Sequence, residues 1–338
     1  MHLRRLLPIA GVLLAGVLAA PGAATTPASG LTAATGGIDA DARTAVAPHV
    51  GGTAQPVAGG ARRTAGGANV ADRPERRPSH VSRATRRPRT DGTGSGESDV
   101  TSPVLWRPRQ GTTWQWQLSG ALDLSVPAAV YDLDGFETTA TQVSALHARG
   151  RKVICYLSVG SAETYRPDYG AFPGSVLGKP LDGWPDERWL DIRRIDVLRP
   201  IMAARMDMCR RKGFDAVEPD NVDGYANASG FPLSGADQIR YNRMIAALAH
   251  ERGLSVGLKN DLDQVAALEP YFDFAVNEQC REYLECWRLR PFLDKGKAVL
   301  HVEYELTLSQ FCPVTVPMGM SSMRKTYDLD VYRRACPA

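Results

Sequence analysis

The stretch Arg211-Lys212-Gly213-Phe214-Asp215-Ala216-Val217-Glu218-Pro219-Asp220-Asn221 decides the fold. A basic residue and a glycine close a helix, a short apolar run follows, and the run ends in acids. Glycine supplies the left-handed position that stops a helix, and the cation before it sits at the negative end of the helix dipole. The same cassette recurs at Arg149-Gly150 before residues 152–157, at Arg252-Gly253 before 254–258 and at Lys295-Gly296 before 298–302. The segments leading into the cassettes are amphipathic. Tyr241, Met244, Ile245, Leu248 and Ala249 share one helical face, as do Leu198, Ile201, Met202, Met208 and Cys209, with Arg205 interrupting the second. Strands alternating with such helices predict a parallel sheet.

Working outward, the apolar runs give eight strands, at 113–118, 129–133, 153–157, 214–217, 255–258, 274–276, 298–302 and 314–318. Eight strands in the 236 residues from 103 to 338 match a closed (β/α)8 TIM-type barrel, typically ~250 residues. A doubly wound open sheet is the alternative, but no glycine-rich phosphate loop follows the first strand. Residues 158–196, rich in Gly, Pro, Trp and Asp, are too long for a plain loop and are expected to form a rim over the site.

The first hundred residues read differently. Every aromatic residue and all six cysteines occur from Trp106 onward, so the preceding chain has little with which to build a core. Residues 1–24 have the order of a secretory signal: Arg4-Arg5, a run from Leu6 to Ala20 and small residues after it. The run is shorter than the ~20 residues of a spanning helix. The arginine pair leaves a twin-arginine route open beside the general one, and an uncleaved anchor is the alternative. Residues 25–102 read as a disordered Ala/Gly/Pro/Arg-rich linker. Twelve arginines against seven acids over residues 1–102 leave the rest slightly acidic, since the whole chain is +3. The basic charge belongs to the linker, whose cluster Arg73, Arg76, Arg77, Arg83, Arg86, Arg87 and Arg89 reads first as a solvated charge run, with contact to an anionic cell envelope as the alternative. A slightly acidic folded part gives no reason to expect nucleic acid as a partner.

Barrel active sites lie at the C-terminal ends of the strands, and here those ends are acidic. They carry Tyr131-Asp132-Leu133-Asp134, then Ser158 and Glu163, then Glu218-Pro219-Asp220-Asn221, then Lys259-Asn260-Asp261, Asn277-Glu278-Gln279 and Glu303-Tyr304-Glu305. One strand-end acid is usually a helix cap. Six ends rich in carboxylates and carboxamides exceed what capping requires. Two carboxylates flanking a bond are the usual requirement for glycoside hydrolysis, and Asp220 and Glu278 are the best pair, since strands four and six face each other across the mouth. Asp132, Asp134, Glu163, Asp223 and Glu303 are expected to line an acidic cleft, with Glu218, Asn221 and Asn277 beside them. Lys259 and Asn260 are candidates for hydroxyl binding, although Lys259 equally suits neutralising a carboxylate. Trp116, Tyr156 and Tyr304 lie nearest the strand ends as stacking surfaces; Trp114, Tyr165, Trp184 and Tyr225 are further candidates, half of the set being expected in the core.

The segments Cys155-Tyr156-Leu157-Ser158-Val159-Gly160-Ser161-Ala162-Glu163, Gly213 to Asn221 and Phe274-Ala275-Val276-Asn277-Glu278-Gln279-Cys280 resemble the signature blocks of glycoside hydrolase family 114, the endo-α-1,4-polygalactosaminidase family. The resemblance covers about residues 110–335 and implies a barrel that hydrolyses α-1,4-linked, galactosamine-containing polymers with no metal or other cofactor. Asp220 matches the family's catalytic aspartate and Glu278 its catalytic glutamate. Nucleophile and acid/base are the roles implied, in a retaining mechanism; the sequence gives the pair but not which residue does which. A cationic amino-sugar polysaccharide suits an acidic cleft. The rival readings are a carbohydrate-binding barrel without hydrolysis and a hydrolase of another α-linked glycan, α-galactosidase-like. A secreted monomer is expected.

No metal site is expected from the histidines. His2, His49 and His80 fall in the signal and linker, His147 and His250 end helices, and His301 stands alone on a strand. No Gly-x-Ser-x-Gly elbow is present, which argues against that class of esterase. Six cysteines allow fifteen disulfide connectivities. The preferred one joins Cys155 to Cys209, Cys280 to Cys286 and Cys312 to Cys336, the second of which would stiffen the loop after Glu278.

Overall fold

The computed structural model describes residues 105–337. The signal-like segment, the linker and its arginine cluster lie outside the described residues. Eight parallel strands form the barrel: β1 (Trp114–Gln117), β2 (Val130–Asp134), β3 (Lys152–Ser158), β4 (Ala216–Asp220), β5 (Ser255–Lys259), β6 (Phe274–Glu278), β7 (Val299–Glu303) and β8 (Ser321–Arg324). Helices α1 (Ala140–His147), α2 (Ile195–Lys212), α3 (Gly235–His250), α4 (Val265–Leu268), α5 (Arg290–Leu293) and α6 (Leu308–Thr315) run between them. All four cassette glycines are left-handed, Gly213 at φ 93° as the cap of α2. The rim segment forms its own antiparallel sheet from 161–163, 177–181 and 184–190.

Strand periodicity separates two apolar layers. Trp114, Trp116, Val130, Ile154, Ala216, Phe274, Val276, Leu300 and Val302 fill the barrel interior. Tyr131, Leu133, Val153, Cys155, Val217, Val256, Leu258 and Ala275 face the helices, where Leu198, Met202, Tyr241, Ile245 and Leu248 meet them. The observed strands run further toward their acidic ends than the apolar runs indicate: β4 reaches Asp220 and β6 reaches Glu278. The terminal acids therefore obey the same inward or outward alternation as the core.

One strand differs from expectation. Residues 314–318 read as strand because Val314, Thr315 and Val316 are β-branched, but Thr307 and Gln310 form a capping box that starts α6, and the helix runs to Thr315, whose Oγ1 donates to the Phe311 carbonyl at 3.1 Å. The eighth strand is instead Ser321-Ser322-Met323-Arg324, whose single apolar residue leaves no hydropathy signal.

Between β8 and β1 the barrel is sealed by the C-terminal segment. A short strand β9 (Arg334–Ala335) pairs antiparallel with β8. Leu118 donates its amide to Leu329 O at 2.8 Å, Arg333 Nε reaches Trp114 O at 2.6 Å, and Trp114 Nε1 donates to Ser321 O at 2.8 Å. The buried Lys325 ammonium binds the carbonyls of Asp330 and Tyr332 at 2.6 and 2.5 Å. Disulfides join Cys155 to Cys209, Cys280 to Cys286 and Cys312 to Cys336, the pairing preferred from sequence.

Candidate active site

Three adjacent strands end alike. β4 ends at Asp220 followed by Asn221, β5 at Lys259 followed by Asn260, and β6 at Glu278 followed by Gln279, and each following residue is left-handed, at φ 62°, 46° and 59°. This turn leaves the last inward side chain at the mouth and sends the chain away from it. Lys259, which is buried, lies at the centre. Its Nζ stands 3.0 Å from Asp220 Oδ1, 3.3 Å from Glu278 Oε2 and 3.4 Å from Glu218 Oε1, and 4.8 Å above the Trp116 ring.

Asp220 and Glu278 each keep a partly exposed carboxylate at the mouth. Tyr156 donates its hydroxyl to Asp220 Oδ2 at 2.8 Å, and the Asn221 amide donates to Oδ1 at 2.8 Å. Burial opposes ionisation of Asp220, but Lys259, Tyr156 and the Asn221 amide outweigh it and hold the carboxyl below its ordinary value. On Glu278, Asn260 donates Nδ2 to Oε2 at 2.9 Å and Tyr304 donates its hydroxyl to Oε1. Asn260 Oδ1 accepts the Glu278 amide at 2.9 Å, fixing the strand end from both sides. The Tyr304 ring is itself stacked on Tyr327, with centroids 4.4 Å apart.

Several residues expected to touch substrate are sealed beneath the mouth, and alternation explains each. Asp132 and Glu218 point inward one layer down, are fully buried, and interact with each other electrostatically. Burial and the neighbouring Glu218 push Asp132 far up, so it holds the proton, while Glu218 is pushed up to about 7 by burial against the pull of Lys259. Trp116 lies in the same interior, closed from solvent like Trp114. Asp134 and Glu163 do not line the cleft as free acids. Arg166 grips Asp134 at 3.1 and 2.5 Å and Glu163 at 2.8 Å, and Asp134 also accepts the Phe136 and Glu137 amides. Asn277 and Glu303 fall on the outward parity. Asn277 braces Asn260 at 3.2 Å, and Glu303 binds His301 Nε2 at 2.9 Å and the Arg281 amide at 2.8 Å. Among the described residues Cys280, Cys286 and His301 bring potential ligand atoms within 4.8 Å, but the two sulfurs are bonded to each other and His301 is held by Ser322 and Glu303.

The sequence reading missed three residues. Arg166 neutralises the wall just described. Arg205, the interruption in the α2 apolar face, is buried and holds Asp168 at 2.7 and 2.9 Å and Ser158 O at 2.6 Å. That interruption was the available signal, since a buried arginine needs partners. The third, Glu187, comes from the rim sheet, whose strands carry no hydropathy pattern.

Asp261 illustrates the same electrostatics. It is left-handed at φ 45°, accepts Asn242 Nδ2 at 3.1 Å, and is pushed up to about 9 by burial and by Asp223 and Asp263. A folded-state value above the unfolded ~3.9 means its contribution is fully present at low pH and is lost as pH rises through about 9. Asp261→Asn is therefore expected to raise the melting temperature, by little near pH 4 and by most near pH 9; a gain independent of pH in thermal melts would refute this origin.

A family model described as glycoside-hydrolase family GH114 matches residues 96–338. The crystal structure of Aspergillus fumigatus Ega3 in complex with galactosamine is 41% identical, with a TM-score of 0.65, covering 68% of this chain and 97% of that one. The glycoside hydrolase domain of PelA from Pseudomonas aeruginosa shares the fold at 13% identity and a TM-score of 0.52, over 65% of this chain and 97% of that one. An uncharacterized protein of Deinococcus radiodurans is 34% identical over 126 residues, 35% of this chain and 39% of that protein, so the match spans well under half of that relative. With its TIM-type barrel, its paired strand-end carboxylates and a family match running from residue 96 to 338, the chain belongs to glycoside hydrolase family GH114.

Proposed function

We propose that this protein is an endo-acting hydrolase of an α-1,4-linked, galactosamine-containing polysaccharide, working with retention through Asp220 as nucleophile and Glu278 as acid/base. The observation that carries the reading is the buried ammonium of Lys259, which contacts both carboxylates. In the first step Asp220 attacks the anomeric carbon, the glycosidic C–O bond breaks, and the leaving oxygen takes the proton of Glu278. A water then attacks the same carbon, gives its proton to the Glu278 carboxylate, and Asp220 departs ionised. Negative charge thus passes from Asp220 to Glu278 and back while Lys259 stays beside both, so its stabilisation follows the charge without reorganisation. The galactosamine bound in the Ega3 crystal supports an amino-sugar substrate.

The test is incubation of the purified protein with deacetylated α-1,4-galactosamine polymer. Expected are oligomers released from within the chain, the α-anomer appearing first by NMR. Binding without shortening favours a carbohydrate-binding barrel, and faster cleavage of neutral α-linked glycans favours an α-galactosidase-like enzyme. Three disulfides suit an oxidising, extracellular setting. In this reading the protein is a secreted monomer, with the arginine-rich linker holding the barrel against an anionic cell envelope.

A further inference from the structure

The rim sheet is docked to the nucleophile's strand by its backbone. Val159 and Gly160 donate their amides to Asp220 O at 3.0 and 3.2 Å, and Leu190 donates to Gly160 O at 2.9 Å. Gly160 permits this approach, since a Cβ there would stand 1.6 Å from the Asn221 carbonyl oxygen. In the rim ladder Ser161 pairs with Trp189, Ala162 with Arg188 and Glu163 with Glu187. Two acids directly opposite one another cost stability unless neutralised. Glu163 has Arg166, whereas Glu187 makes no ion pair among the described residues. Its Oε2 accepts Ser161 Oγ at 2.7 Å and Asn221 Nδ2 at 3.5 Å, Asn221 being the residue next to Asp220. Its Oε1 takes no hydrogen bond among the described residues, although the side chain is more than nine-tenths buried. Glu187 is thus a buried carboxyl held by protein donors on one oxygen only and joined to the residue that follows Asp220.

We propose that Glu187 is the specificity-determining residue that receives the ammonium of the sugar unit bound over Asp220. This rests on the amino-sugar reading above. The groups facing Glu187 are Ser161, Glu163, Asp220, Arg166, Tyr156 and Tyr165. Burial first, then Glu163 and Asp220, against Ser161 and Arg166, push its carboxyl up to about 7. Without bound sugar the carboxyl is therefore largely protonated at pH 6. An arriving ammonium favours the ionised form, so binding releases the proton to solvent and leaves an ammonium–carboxylate pair.

Two measurements test this. Calorimetry of galactosamine binding at pH 6, in buffers of different ionisation enthalpy, should show release of roughly one proton, because an amine of pKa near ~7.7 is already charged there; N-acetylgalactosamine should release none. Binding of galactosamine without proton release overturns the proposal and needs no variant. In the second, Glu187→Gln should lose about 10- to 100-fold in kcat/KM on the deacetylated polymer, the worth of a charged hydrogen bond, while keeping its rate on N-acetylated units. An equal loss on both, or no loss, overturns the assignment. A wild-type protein that cleaves no galactosamine polymer would refute the substrate reading itself, a result distinct from either.

Discussion

Asp220→Asn is expected to lower kcat on the galactosamine polymer by ~10⁴-fold or more, the scale of removing a nucleophile, with an unchanged melting profile. The amide keeps the shape of the carboxylate, so its Oδ1 can still accept from Lys259 and the Asn221 amide. Lys259 also keeps Glu278 and Glu218, so no buried charge is stranded. What disappears is the group that Lys259, Tyr156 and the Asn221 amide hold ionised. Glu278→Gln should be equally damaging on the polymer, whose leaving alcohol needs a proton. The two diverge on an activated aryl galactosaminide, which leaves without protonation. There Glu278→Gln should recover its first step, seen as a burst of aryl alcohol, and Asp220→Asn should not. A burst from Asp220→Asn would reverse the assignment of roles, and near wild-type activity from either would remove the pair.

Lys259→Met should be the most disruptive change that leaves both carboxylates in place. The ammonium is buried, and burial is outweighed by Asp220, Glu278 and Glu218, which keep it charged well above the ordinary lysine range. Removing one partner of such a buried set costs about 3–5 kcal/mol, and three acids remain facing one another. Protonation is their relief, so the loss of stability should be largest at neutral pH and shrink toward pH 4. Asp220 owes its depressed value largely to Lys259. Without that ammonium its pKa rises, and because the first step needs it ionised, the acid limb of the kcat/KM profile should move to higher pH. An unmoved acid limb in a folded Lys259→Met protein would mean that Lys259 does not set the ionisation of Asp220.

The carboxylate pair was legible because each member closes an apolar strand on the inward parity, so alternation carried Asp220 and Glu278 to the mouth. Depth along the strand was not. Asp132 and Glu218 share that parity but sit one layer down, and only register tells them apart: Asp132 pairs with Ile154, Ser158 with Asp220. Glu303 and Asn277 failed for the opposite reason, since the frame of β6 and β7 turns them toward the helices beside His301. Arg166 and Glu187 were beyond reading from local pattern. Their roles arise from a rim sheet with irregular register between 177–181 and 184–190, held by contacts with Asp134 and Asn221 far away in sequence. The polar β8 was hidden because it is recognised by pairing with β7 and β9 rather than by its own residues.

The seal between β8 and β1 sets an order on folding. Trp114 meets Ser321 and Arg333 across more than two hundred residues of chain, and contacts so remote in sequence close late. Until residues 329–336 arrive, β1 is an unpaired edge with two tryptophans at its back, the kind of surface that recruits a neighbouring chain. The vulnerability of the barrel during its folding therefore lies at its first strand, away from β4 and β6, which carry Asp220 and Glu278, and it ends only when Cys312 and Cys336 stitch the sealing segment in place.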